Sequence, residues 1–114
     1  MIAKVVVTAL LAALFGFAGV IKVAGVRQSL EIRDHLGVKP VQWRLIGSLE
    51  LAGVAGVLAG LRWAPIGVAA AIGLTLLILG AIGFHVRASD SVADTAPAVI
   101  GLGLAVATAV LQSA

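Results

Sequence analysis

Five ionisable residues set in or beside apolar stretches carry the chemistry open to this chain: Lys22, Glu50, His85, Arg87 and Asp90. Glu50 and His85 are types that exchange protons, and Lys22 and Arg87 are types that stabilise developing negative charge. Together they would suit acid–base work on a lipid-soluble substrate. A carboxylate among apolar residues carries a penalty of roughly 2.5–3.5 kcal/mol on membrane-insertion scales. Glu50 is therefore expected to face the interior and either pair with a cation or stay neutral. Lys22 is the cation nearest in depth, although its long stem also allows it to snorkel to the headgroups. His85 reads either as functional or as a bystander, and His35, in a charged connector, as solvated. No second ligand stands at i+3 or i+4 after either histidine, so no metal site is expected. The absence of cysteine removes disulfides, thiolate sites and a thiol nucleophile, and any redox role would need a borrowed cofactor.

Apolar elements must hold these groups. Of 114 residues, 61% are hydrophobic and 11% charged, and the mean hydropathy is +1.18. Soluble domains carry about a quarter charged residues. Too few polar residues remain to coat a soluble domain, so the exterior is expected to face lipid. The net charge of +3 comes from scattered basic residues with no basic run and no aromatic stacking platform, which gives no basis for a nucleic-acid partner.

Four stretches, 5–26, 45–61, 65–86 and 96–112, are long enough and apolar enough to read as transmembrane helices. A signal peptide is the rival reading of the first, but its apolar core would be too long and no polar mature domain follows it. The fold expected is an all-α membrane protein with one domain over 1–114, a four-helix antiparallel transmembrane bundle. The connector Arg27–Pro40 reads as a short amphipathic helix on the membrane surface or as an irregular loop, with Gly37 to close it and Pro40 to prevent continuation. Trp43 and Trp63 serve as interfacial anchors, Arg62–Pro65 as a tight turn, and Pro97 as the opening of the last helix, whose end is expected at headgroup level. Gly56 and Gly60, extended by Ala52, form a small-residue ridge for close helix packing.

Connectivity puts the first and third connectors at one end. Arg27, Arg33, Lys39, Arg44 and Arg87 flank that end, against Lys4 and Arg62 at the other, which places the connectors in the cytoplasm and both termini outside. Lys22 and Glu50 fall at matching depth near the connector end, where His85, Arg87 and Asp90 also lie. The far half of each span is nearly featureless, which leaves a small transporter or proton path without polar groups through the bilayer.

The order of these pieces, Lys22 closing a first helix, Gly47-Ser48-Leu49-Glu50 opening the second, His85-Val86-Arg87-x-x-Asp90 closing the third and Pro97 before the fourth, resembles the DoxX-like family of small four-helix bacterial membrane proteins over nearly the whole length. That resemblance implies a multi-pass protein of the bacterial inner (plasma) membrane. The family takes its name from a small subunit associated with thiosulfate:quinone oxidoreductase, and other relatives are linked to membrane redox and oxidative-stress systems. With no cysteine and no soluble catalytic extension here, the resemblance does not carry the thiosulfate activity over to this chain. The function expected is an accessory or partner-binding subunit with a polar site at the cytoplasmic end, for a quinone, a lipid headgroup or a partner loop, and with no intrinsic cofactor. Its partners are the bilayer and either further copies of itself or a larger membrane complex. The alternative is a small membrane enzyme using Glu50 and His85.

Overall fold

The computed structural model describes residues 1–114 and contains five α-helices and no strand. These are α1 (Ile2–Ala24), α2 (Arg27–Leu36), α3 (Pro40–Ala59), α4 (Ala64–Arg87) and α5 (Val92–Ser113). The expected four helices become five because the charged connector is itself helical. Gly25 and Gly37, at φ 69° and 73°, end α1 and α2 in the left-handed conformation that glycine adopts without steric cost. Three helices, α1, α4 and α5, are long and apolar enough to cross a membrane. The 20-residue α3 carries Arg44 and Glu50 and is not among the three.

The two largest shifts from the expected boundaries each involve a proline. Pro40 begins α3 instead of standing apart from it, five residues ahead of the expected start at Leu45. A first-turn proline forgoes only an N–H that has no helical partner, and the Gln42 side chain accepts the Lys39 backbone N–H at 3.3 Å to complete the cap. Pro97 lies inside α5 instead of opening it. The helix starts earlier, at a cap in which the Ser91 hydroxyl accepts the Asp94 N–H at 3.1 Å, and Pro97 forgoes one helical N–H bond further in.

The four long helices pack as a ring in the order α1, α3, α4, α5, with α5 closing against α1. α2 lies across one end and touches α1 and α4. All four long helices contribute to the central core of Leu11, Phe15, Val57, Ala71, Leu74 and Ala105. A smaller cluster of Leu36, Val38 and Trp43, backed by Ile46, Phe84 and Ala88, seals the end beneath α2. Outside this core the surface stays apolar: Phe17 is 67% exposed, Leu76 65% and Val110 60%. Such a surface suits hydrocarbon, and the 39 Å long axis exceeds the roughly 30 Å bilayer core.

Glycines fix which helices come closest. A Cβ at Gly47 would stand 2.7 Å from Lys22 Cβ and 3.0 Å from the Gly19 carbonyl, so α1 and α3 meet backbone to backbone there. Gly56 faces Ala70 of α4, and Gly60 abuts Gly67. The ridge read from the sequence therefore packs within the chain, against α4. Ala52, expected to extend it, is instead exposed on the outer face of α3.

Candidate functional site

The close approach at Gly47 delivers Lys22 to Glu50, one turn further along α3. The Lys22 ammonium stands 2.8 Å from Glu50 Oε1, with side-chain exposures of 14% and 5%. It also lies 3.5 Å from the Ala18 carbonyl and 4.9 Å from the centre of the Trp43 ring. Trp43 covers the pair, and its indole N–H donates to the fully buried Ser29 hydroxyl of α2 at 2.9 Å. No hydroxyl or amide donates to Glu50 Oε1, so the ammonium is the compensation for that buried oxygen.

A second polar unit joins α2 to the turn between α4 and α5. One Asp90 oxygen lies 2.5 Å from His35 Nε2 and the other 2.5 Å from His85 Nδ1, and the carboxylate is only 6% exposed. Ser89, at φ 58°, turns the backbone so that the Asp90 N–H reaches the His85 carbonyl at 3.0 Å, which sets the Asp90 side chain beside the ring it binds. Hydrogen bonds from His35 and His85 hold the Asp90 carboxyl below its ordinary pKa. The bond and the charge of Asp90 raise His35 above its ordinary value, and Asp94 adds to the effect. Arg87 donates to the Leu36 carbonyl, a terminal acceptor of α2, at 3.0 Å, and its guanidinium lies 4.6 Å from the Phe84 ring centre.

Residues 6–108 match the DoxX-like family. The chain belongs to the DoxX-like family. It is a membrane protein built of apolar helices, three of them able to span. No curated protein and no solved structure matches it.

In this DoxX-like chain the five residues singled out by sequence all lie at the connector end but form two pairs and a separate arginine. Lys22 and Glu50 hold each other, His85 and Asp90 hold each other, and Arg87 holds the end of α2. No hydrogen bond or ion pair joins Glu50 to His85; each is bonded to its own partner. At this end Lys22 and His85 are engaged by carboxylates, whereas the Arg87 guanidinium, with one nitrogen on the Leu36 carbonyl, keeps further donors.

Two side chains with tertiary bonds escape the sequence reading. His35 is a half-exposed partner of Asp90 rather than a solvated bystander, across 55 residues of sequence. Gln112 is 1% exposed at the opposite end, where its amide donates to Thr8 Oγ1 at 3.1 Å and to the Val57 carbonyl at 3.0 Å. That carbonyl is free because the Leu61 N–H bonds to Leu58 as α3 tightens into its last turn. The end of α5, expected at headgroup level, is thus tied into the bundle. Thr8, a lone hydroxyl near the far end of the first span, is the signal that could have found this contact.

Proposed function

We propose that this chain is an accessory membrane subunit whose connector end, capped by α2, is a docking platform for a partner loop or a lipid headgroup. In this reading α3 is a fourth transmembrane span, protected by the Lys22–Glu50 pairing. The basic bias of the connectors puts α2 in the cytoplasm and both termini outside, in a bacterial inner membrane.

The observation that carries the reading is the attachment of α2. Side-chain bonds fasten it at three points: Ser29 to Trp43, His35 to Asp90, and the Leu36 carbonyl to Arg87. A ten-residue helix would not hold its shape alone, and these bonds fix it while its outer residues Arg27, Gln28, Glu31 and Asp34 stay exposed. Such a construction suits recognition more than catalysis, because its proton-exchanging groups are engaged with one another.

Purification in mild detergent followed by mass spectrometry tests the role. A protein partner retained in fixed ratio and lost on Asp90→Asn supports the platform. Substrate turnover by the isolated chain, abolished by Glu50→Gln, would replace this reading with the enzymatic one. A C-terminal reporter active in the cytoplasm would overturn the orientation and leave the platform to be placed outside.

A further inference from the structure

A groove of about 600 Å³ lies between α3 and α4 at mid-depth, walled by Leu49, Ala52 and Gly53 on one helix and Ala70, Gly73 and Leu76 on the other. Leu49, Ala52, Gly73 and Leu76 are exposed, so the groove opens outward to the surroundings of the bundle. Two outer tracks lead from it to the connector end. On α3, Ala52, Ser48 and Arg44 follow at four-residue steps and are all exposed. On α4, Leu76, Gly80, Gly83 and Arg87 follow at steps of four, three and four and are all exposed, and a Cβ at Gly80 or Gly83 would meet nothing within 4 Å.

Both tracks end on a guanidinium without a carboxylate. At this end Lys22 is paired with Glu50, Arg27 with Glu31 and Arg33 with Asp34, whereas Arg44 and Arg87 have no acidic partner. Arg87 uses one nitrogen on the Leu36 carbonyl, and a guanidinium has further donors to offer. The interval from Leu76 to Arg87 is roughly 16 Å at about 1.5 Å per helical residue. That is about half of a 30 Å hydrocarbon core, the depth of one leaflet.

We propose that the groove holds an acyl chain of an anionic phospholipid whose phosphate is bound by Arg44 and Arg87. The apolar lining takes the chain, the open glycine track lets it lie against the α4 backbone, and the planar donor forks of the two arginines match phosphate oxygens. A second copy of the chain is a poorer occupant. A twofold dimer across this face would bring Arg44 and Arg87 toward their own counterparts, and the carboxylates of α2 and α3 at this level are already engaged with cations. The site shares Arg87 with the fastening of α2, but its groove and Arg44 lie outside that fastening, so lipid binding can be tested whatever docks on α2.

Native mass spectrometry of the full chain in mild detergent, titrated with phosphatidylglycerol and with phosphatidylcholine of the same acyl chains, tests the proposal. One phosphatidylglycerol should be retained per chain, with phosphatidylcholine bound about tenfold more weakly. Arg44→Gln combined with Arg87→Gln should level the two lipids. Gly73→Leu, whose side chain enters open space in the groove, should release both, whereas Gly103→Leu, equally unobstructed on α5, should release neither. If Gly73→Leu does not fold, Ala52→Leu fills the groove from the other wall. Equal affinity for the two lipids in the unaltered chain would overturn the phosphate site. Lipid retained by the groove-filled variants would overturn the groove, and a dimer that they dissociate would assign it to a second copy.

Discussion

Lys22 and Glu50 neutralise each other where water hardly reaches, so each makes the other's burial tolerable. Removing one should leave a charge stranded in a nearly dry site, at a cost of about 3–5 kcal/mol. Glu50→Gln and Lys22→Met should therefore each destabilise the detergent-solubilised fold strongly, and the double substitution should cost less than the sum. Strictly additive losses in thermal unfolding would mean that the 2.8 Å contact contributes no coupling. This pair was legible in the sequence because helical rise converts residue number into depth, and two opposite charges at one depth have few other ways to be satisfied. Gln112 was not legible by the same logic. It sits among polar neighbours at the end of α5, where an amide in the headgroups and an amide bonded to Val57 look alike until the bundle is closed. His35 failed for a related reason: its partner is set by the left-handed turn at Ser89, and serine gives little local warning of that conformation.

At the scale of elements, the docking of α2 is expected to respond to pH through His35 and Asp90. His35 binds protons more tightly when docked on Asp90, so its contribution is full at acidic pH and is lost as pH rises through the raised value. Asp90 binds them less tightly when docked, so its contribution is lost as pH falls through the depressed value. Docking of α2 should be firmest between those two limits. Trp43 emission, read in a Trp63→Phe background, reports it because the indole is bonded to Ser29 of α2. The emission should stay blue in mild acid and shift red as pH rises past the histidine step, and Asp90→Asn should remove the step. An emission maximum indifferent to pH, or a step surviving Asp90→Asn, would rule the clamp out as the cause. The existence of α2 and its glycine stop were readable from charge alternation and Gly37. The early starts of α3 and α5 were not, since a proline is permitted in a first turn and a serine cap can carry a helix past one further in.

At the scale of the molecule, ring closure rests on small residues. Gly60→Leu should force α3 away from Gly67 and Gln112 at a cost of about 1–3 kcal/mol or more, as overpacking does. Gly16→Leu, with open space around it, should leave the melting temperature nearly unchanged. Equal melting temperatures for the two variants would mean that the α3–α4 seam yields freely. The ring also has an order in time. Thr8 and Val57 are synthesised long before Gln112, so α1, α3 and α4 must wait as an open arc, with the Val57 carbonyl and the Thr8 hydroxyl lacking their amide. The last turn of α5 then arrives as the latch of the assembly, and a ribosome stalled before Gln112 would hold three packed helices around an unfilled polar notch.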